Sequence, residues 1–501
     1  MWAASPRPLS AGAALAVELN AVALGVSIDA LMENAGRAVA EEATHHLPPP
    51  PARVAVVAST GNNGGDGTCA AFYLHQWGYS PEVWLLRPPL EIRSRSARRC
   101  FERVEHRLPV HIGVPASDQL ASMPLIIDAL LGSGQSGHLR SPVREAVDAI
   151  RASGAPVLAV DLPSGTRDPN GIRAAWTVTL TAPKQEMDPA TAGEVTVREI
   201  GIPEEAWRRT GPGEFAFFRS PTGVSDRGRS TRVVIIGGGP YAGAPALAGL
   251  AALRSGAERA TVLAPRGAAE LVQGFSPNLV VRPFGTGRFE PVDVPGIVAA
   301  VRTLSPAAVA IGMGAGAAPE TVEALRGVER ELAGTVPLVV DADGLLALPR
   351  PEEIAERGHA VTAATPNAGE FTRLFAGPTG SETKEGGRAH AVVRAAETGH
   401  ILLLAKGQPD LISDGISLAE NHHHHSAMTV GGVGDVLAGV LTSVLGSGVE
   451  PFPAGRLAAY WVGEAGISAA SRRSFGLTAT DVIDELPGAL VAGLARARRA
   501  G

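Results

Sequence analysis

The sequence predicts an α/β fold: two tandem three-layer domains, each a mostly parallel sheet covered by helices on both faces. Three observations carry this. The chain has 501 residues, more than one domain of about 100–200 residues accommodates. Two separate series of short apolar, β-branched runs alternate with longer helical stretches. Between them, residues 203–230 (PEEAWRRTGPGEFAFFRSPTGVSDRGRS) lose periodicity and gain Pro, Gly and Arg, the composition of a connector. Placing the boundary inside this stretch gives domains at 1–215 and 216–501.

Residues 11–28 (AGAALAVELNAVALGVSI) resemble the core of an export signal, but Glu18 and Asn20 interrupt the apolar run. They read as an amphipathic helix partnered by IDALMENAGRAVAEEA. The runs RVAVVAS (53–59), PLIIDALL (124–131), APVLAVD (155–161) and TVTLTA (177–182) read as buried strands of a first sheet. RVVIIGGG (232–239) opens a second series, continued by ATVLA, AAVAIGM, PLVVDADG, HAVTAAT and ILLLAKG.

Composition narrows the function. Lys and Arg number 44 against 50 Asp and Glu, a net charge of -6, so no positive field draws in nucleic acid. Two cysteines, Cys69 and Cys100, make no disulfide framework and suit a reducing cytoplasm. No run reaches the roughly 18 apolar residues of a membrane span.

The stretch GNNGGDGTCA (61–70) follows a predicted strand and reads as too glycine-rich for a helix. It sits at the carboxyl edge of a sheet, where open α/β folds bind ligands. Gly61, Gly64, Gly65 and Gly67 are expected to permit positive φ and close approach of a ligand. There is no GK[ST], which excludes a P-loop, and Asp66 would repel a pyrophosphate. A tight turn with Asp66 complementing a helix dipole is the other reading. PLIIDALLGSGQSGH and VLAVDLPSG place Asp128, Asp161 and Ser164 at the same edge. Hard oxygen donors without His or Cys suit an alkali or alkaline-earth cation.

In this order, LMENAGRAVA, GNNGGDG, IIDALLGSGQSG and VLAVDLPSG resemble the epimerase domain of the NAD(P)H-hydrate repair enzymes, over about residues 10–210. The resemblance implies interconversion of the R and S epimers at C6 of hydrated NADH or NADPH. It assigns potassium to Asn63, Asp128 and Ser164, and substrate contacts to Asn62, Asn63, Gly64, Gly65 and Asp66. The loop Gly132, Ser133, Gly134, Gln135, Ser136, Gly137 and His138 joins them, as does Asp161, the expected proton-handling group. Ser59 stands where the family usually has glycine, and TRDPNGIRAAW after PSG is short for the family.

In the second domain, TVGGVGDVLAGVLTSVL (429–445) sets Asp435 at the start of an apolar helix behind Gly431, Gly432 and Gly434. Backbone N–H groups there make an anion hole beside a carboxylate, which suits phosphoryl transfer. An ordinary N-cap Asp is the other reading. The Rossmann-like G-x-G-x-x-A at 237–242 lacks the acidic residue that binds a ribose. GMGAG, VVDADGLLAL, TPNAGEF and LLAKGQPDLIS precede the GGVGD motif in the order of ribokinase-like kinases. GGGPYAGAP followed by AALRSGAERATV resembles more narrowly the dehydratase domain of the same repair system, over about 225–495.

That resemblance implies a ribokinase-like domain that dehydrates the S hydrate using ADP or ATP, with magnesium accompanying the nucleotide. Ala244, Gly316, Asn367 and Asp435 match substrate contacts, with Asp435 as base. Lys406, Gly407, Gln408, Pro409, Asp410 and Gly434 match nucleotide contacts. Asn367, Val433 and Asp226-Arg227 replace the usual His, Thr and His-Lys. His422–His425 reads as a solvated loop flanking the nucleotide rather than a metal site. A homo-oligomer is expected. The competing reading is a small-molecule kinase fused to a regulatory binding domain.

Overall fold

The computed structural model describes residues 8–134, 138–220, 231–350, 352–353, 362–375 and 385–500. The chain divides into two compact units between Ala206 and Trp207, the end of the last helix from Arg496 grouping with the first unit.

The first unit is a seven-stranded parallel sheet of order β3-β2-β1-β4-β5-β6-β7. Its strands are β1 (Arg53–Ala58), β2 (Ser80–Leu85), β3 (Val110–Ile112), β4 (Ile126–Ala129), β5 (Val157–Val160), β6 (Trp176–Leu180) and β7 (Glu194–Arg198). The central strands are buried on both faces because Val54–Ala58, Ile126, Ile127, Leu158 and Val160 offer no polar side. Strand order reverses between β1 and β4, so the loops leaving these two strands diverge and open a crevice at the carboxyl edge.

Helices α1 (Ala11–Ala23) and α2 (Ile28–His46) are N-capped by Ser10 and Ser27, whose side chains accept from Ala13 N and Ala30 N. Residues 62–76, contrary to the glycine-based expectation, are helical throughout as α3 (Asn62–Gln76). None of Gly61, Gly64, Gly65 and Gly67 has positive φ. Their small size serves packing instead. A methyl on Gly64 would stand 1.9 Å from Ser59 O, one on Gly65 2.8 Å from Met32 Sδ, and one on Gly67 2.3 Å from Ala129 Cβ. Contact with the sheet and with α2 therefore outweighs the helix propensity cost of glycine, about 1 kcal/mol each.

The second unit is a nine-stranded sheet of order β10-β9-β8-β11-β12-β13-β14-β15-β16. Its strands are β8 (Arg232–Ile236), β9 (Arg259–Pro265), β10 (Val280–Phe284), β11 (Ala308–Ile311), β12 (Leu338–Val340), β13 (Ala363–Ala364), β14 (Leu402–Ala405), β15 (Asp410–Ser413) and β16 (Leu418–Asn421). All pair in parallel except β14–β15 and β15–β16. The reversal again falls between the first strand, β8, and its later neighbour, β11.

The stretch expected as a connector is partly folded. Glu204–Arg208 is a short helix and Pro212–Phe217 a 3-10 turn. Phe215 is buried against Tyr460 and Trp461, and Arg456 Nη2 meets buried Glu214 Oε1 at 2.6 Å. Asp226-Arg227 lies outside the described residues. No described helix is long and apolar enough to cross a membrane.

Candidate active sites

In the first unit, Asp128, the penultimate residue of β4, is fully buried. Ser164 donates to it twice, from N to Oδ2 at 2.8 Å and from Oγ to Oδ1 at 2.7 Å, and Leu130 N donates to Oδ1 at 3.2 Å. Burial pushes the Asp128 carboxyl up to about 6 against the pull of the Ser164 bonds. No cationic side chain pairs with it among the described residues. Ser164 Oγ also accepts from Leu131 N at 2.9 Å, so Ser164 joins the two loops.

Asp161, just past β5, has φ 66, a left-handed backbone that non-glycine residues seldom adopt. Its Oδ2 accepts from Ser133 N at 2.9 Å and its Oδ1 from Leu180 N at 3.5 Å. Lys184 Nζ lies 2.6 Å from Oδ1 and also donates to Leu180 O at 2.7 Å and Ala182 O at 3.0 Å. Lys184 was not foreseen from sequence. The signal was present, since it follows β6 at the same sheet edge as Asp128 and Asp161.

A methyl on Gly132 would stand 3.0 Å from Asn63 Oδ1 and 3.2 Å from Asp161 Oδ2. Asn63, Gly132, Ser133 and Asp161 therefore converge, while Asp128 and Ser164 form an adjoining group. Asn63 Nδ2 is buried with no partner among the described residues. Asn62 and Asn63 open α3, with Gly64 and Gly65 packed behind them. Asp66 is pushed well above the usual carboxylate range by burial, with Glu18, Cys100 and Asp161 adding to it. Glu18, which sequence alone marked only as a break in an apolar run, is pushed up to about 7 by burial and Asp161, with Lys184 opposing. Pairing of Leu9 N with Pro183 O at 2.7 Å and Gln185 N with Leu9 O at 2.8 Å sets α1 beside the Lys184 segment. Gly134 is exposed, and Gln135, Ser136 and Gly137 lie outside the described residues. His138 is exposed, its Nδ1 4.0 Å from Asp168 Oδ2. The shortened segment after Ser164 closes on itself, Ile172 N donating to Ser164 O at 2.9 Å.

In the second unit, helix α5 (Val433–Gly446) starts after Gly432, whose φ of 96 turns the chain into it; α4 is Arg95–Glu102 of the first unit. Asp435 lies in the first turn and is partly buried. Burial, then Asp341, pushes its carboxyl up to about 7, while Lys406 pulls it down. Lys406 Nζ pairs with Asp341 Oδ1 at 2.8 Å. Burial alone would lower the Lys406 ammonium, but Asp341 reverses this and the net shift is upward. A methyl on Gly434 would stand 3.2 Å from Lys406 Nζ, so the glycine lets the lysine reach the helix start.

Gly316 N donates to Asp343 Oδ2 at 2.8 Å, and Gly314, with φ 67, lies close to Ala244 across the crevice between β8 and β11. Asp341 and Asp343, within a motif the sequence singles out, are site residues that sequence reasoning did not assign. Asn367 makes a reciprocal cap on the helix Ala368–Phe375: Glu370 N donates to Asn367 Oδ1 at 3.0 Å and Asn367 N to Glu370 Oε2 at 2.8 Å. Gly407 N donates to Asp410 Oδ1 at 2.8 Å, and Arg388 bonds Pro409 O, Ala405 O and Lys406 O, fixing the Lys406–Asp410 loop.

A cavity of about 550 Å³ is lined by Asn367, Lys406, Gly407, Gln408, Asp410 and Gly434, bringing six expected residues together. His423, His424 and His425 line it too, so the histidine run is partly a wall rather than a solvated loop. His423 Nε2 meets Glu464 Oε2 at 2.6 Å and its ring stacks on Tyr460, whereas His424 Nδ1 is buried without a partner among the described residues. Val433 also lines the cavity, where the usual Thr would offer a hydroxyl.

Residues 233–488 match the family model described as NAD(P)H-hydrate dehydratase, and residues 28–186 that described as YjeF-related protein N-terminus. The chain is 38% identical over 489 residues to the bifunctional NAD(P)H-hydrate repair enzyme Nnr of Pyrobaculum aerophilum, covering 93% of this chain and 95% of that one. It is 36% identical over 496 residues to the protein of the same name from Hyperthermus butylicus, covering 95% and 90%. A solved ADP/ATP-dependent NAD(P)H-hydrate dehydratase from Bacillus subtilis aligns with 56% of this chain and 96% of its own, at 23% identity and TM-score 0.47. Two family models in tandem and full-length relatives above one-third identity make this chain a member of the bifunctional NAD(P)H-hydrate repair enzymes.

Proposed function

We propose that the first unit equilibrates the R and S epimers at C6 of hydrated NADH and NADPH, and that the second dehydrates the S epimer at the expense of ADP or ATP. The observation that carries the reading is the placement of Asp435, with its carboxyl near 7, in the first turn of a helix whose Val433 and Gly434 line, with Lys406, a cavity of about 550 Å³.

In the second unit Asp435 takes the proton of the C6 hydroxyl as its oxygen attacks the terminal phosphoryl group. Backbone N–H groups at the start of α5 and the Lys406 ammonium carry the phosphate charge. The ring nitrogen then expels phosphate from C6, and loss of a C5 proton restores the dihydronicotinamide. Magnesium would accompany the nucleotide's phosphates, with Asp343 and Asp435 as nearby oxygens.

In the first unit Asp161, paired with Lys184, takes the C6 hydroxyl proton. As the C6–N bond opens to an aldehyde that proton passes to the ring nitrogen, and reclosure on the other face of the carbonyl, with the proton returned to oxygen, inverts C6. Potassium suits the oxygens of Asn63, Asp128 and Ser164, since Asp128 is a buried carboxylate without a cationic partner among the described side chains. It would supply fixed positive charge there.

The test is incubation with chemically hydrated NADH containing both epimers, with ADP and ATP in separate reactions. Recovery of both epimers as NADH with release of phosphate is expected. A stable phosphate ester would instead support the kinase alternative and refute this reading.

A further inference from the structure

The only two cysteines of the chain stand together. Cys69 on α3 and Cys100 on α4 (Arg95–Glu102) are both buried and both free. Glu33 of α2 completes a group whose three ligand atoms all lie within 4.8 Å of one another. Neither proposed reaction uses any of the three.

We propose that Glu33, Cys69 and Cys100 form a binding site for a thiophilic divalent cation such as zinc. A tetrahedral zinc bound to thiolates at about 2.3 Å spaces its ligands about 3.8 Å apart, so each donor needs to shift by only about 1 Å from its present position. Two sulfurs and one carboxylate favour zinc over magnesium or calcium, which take oxygen donors.

Charge supports the same site. Arg103 Nη1 bonds Glu33 Oε2 at 2.5 Å and approaches Cys69 Sγ at 3.9 Å, and the Tyr73 hydroxyl donates to Glu33 Oε1. With both thiols protonated, the Glu33–Arg103 pair is neutral. Binding replaces the two thiol protons: two S–H bonds break, two metal–sulfur bonds form, and two protons leave to solvent. The bound group is then one divalent cation, two thiolates, one carboxylate and the Arg103 guanidinium, again neutral. Metal-free and metal-bound states are both electrically satisfied, which a buried site requires. The outer partners Arg103 and Tyr73 hold Glu33 in place, as second-shell groups do at metal ligands. The Glu33 side chain is 36% exposed, which leaves an entry path and room for a water as fourth ligand. The metal would tie three helices behind the Asn62–Asp66 end of α3.

The experiment is titration of chelator-treated full-length protein with cobalt(II). A thiolate-to-cobalt charge-transfer band in the near ultraviolet is expected, saturating at one equivalent per chain and bleached by zinc. The histidine run can bind cobalt but cannot produce that band, and no third cysteine exists to produce it. Glu33→Gln should weaken cobalt binding by about tenfold or more while keeping the band, and Cys69→Ser or Cys100→Ser should abolish it in protein with unchanged circular dichroism. Cobalt binding without a thiolate band in the wild-type protein overturns the proposal, whether or not the cysteine variants fold.

Discussion

The Lys184 ammonium stands 2.6 Å from Asp161 Oδ1, with both side chains buried to about nine-tenths or more. Removing one member leaves the other charge without its partner, which typically costs about 3–5 kcal/mol. Lys184→Met should therefore lower stability to denaturant on that scale and slow epimerisation. Lys184→Met combined with Asp161→Asn should regain part of the stability without regaining epimerase activity. A double-mutant cycle of denaturation and epimerisation rate checks both.

As the proposed base, Asp435 is expected to set the pH dependence of the second unit. Its folded value of about 7 lies above the ordinary 3.8, and a base must be deprotonated to act. The dehydratase rate at low substrate should rise with pH through about 7, and Asp435→Asn should lose about 10²-fold or more and flatten the profile. The linkage has the opposite consequence for stability. A raised folded value means the native state binds the proton more tightly, so Asp435 costs stability increasingly as pH rises from about 4 to about 7 and fully above that. Asp435→Asn should thus be stabilising at pH 8 and nearly neutral below pH 4, measured by thermal unfolding.

His424 offers a buried Nδ1 to the cavity without a partner among the described residues. A buried unpaired polar atom costs about 1–3 kcal/mol. His424→Leu should leave the apoprotein as stable or more so while raising the KM for nucleotide several-fold at nearly constant kcat. Steady-state kinetics with ADP and ATP, read beside the unfolding midpoint, separates this from a packing defect.

Asn367 is both a cavity wall and a helix cap. Asn367→Ala should cost about 0.5–2 kcal/mol by removing the cap on Ala368–Phe375, and Asn367→Asp should retain most of that stability. Denaturant midpoints of the two variants provide the comparison.

The central strands were legible because their residues are apolar on both sides, as Ile126, Ile127 and Val233–Ile236 are. Two strands on one side of the first sheet were not: the edge strand Val110–Ile112 is short and half exposed, and its inner neighbour Ser80–Leu85 carries Pro81, which has no N–H to donate. The Asn62–Gln76 helix was hidden for a different reason. Its glycines weaken local propensity and are explained only by what they touch, Ser59, Met32 and Ala129, which no periodicity reveals. Carboxylates at strand ends followed by glycine were readable as site residues, and Lys184 just after the 177–182 strand carried the same signal, whereas Glu18 becomes a site residue only when the fold brings α1 to the same crevice.

On the proposed function, one chain acts on one damaged coenzyme at two carboxylate-centred sites. The most direct measurement follows recovery of NADH from an equal mixture of R and S hydrates with nucleotide, in the wild-type protein, Asp161→Asn and Asp435→Asn. The wild type should recover both epimers, Asp161→Asn the S form at near-normal rate with the R form left behind, and Asp435→Asn neither, while still equilibrating the two. Recovery of the R form by Asp161→Asn faster than spontaneous epimerisation supplies the S form, or undiminished turnover in Asp435→Asn, would contradict it.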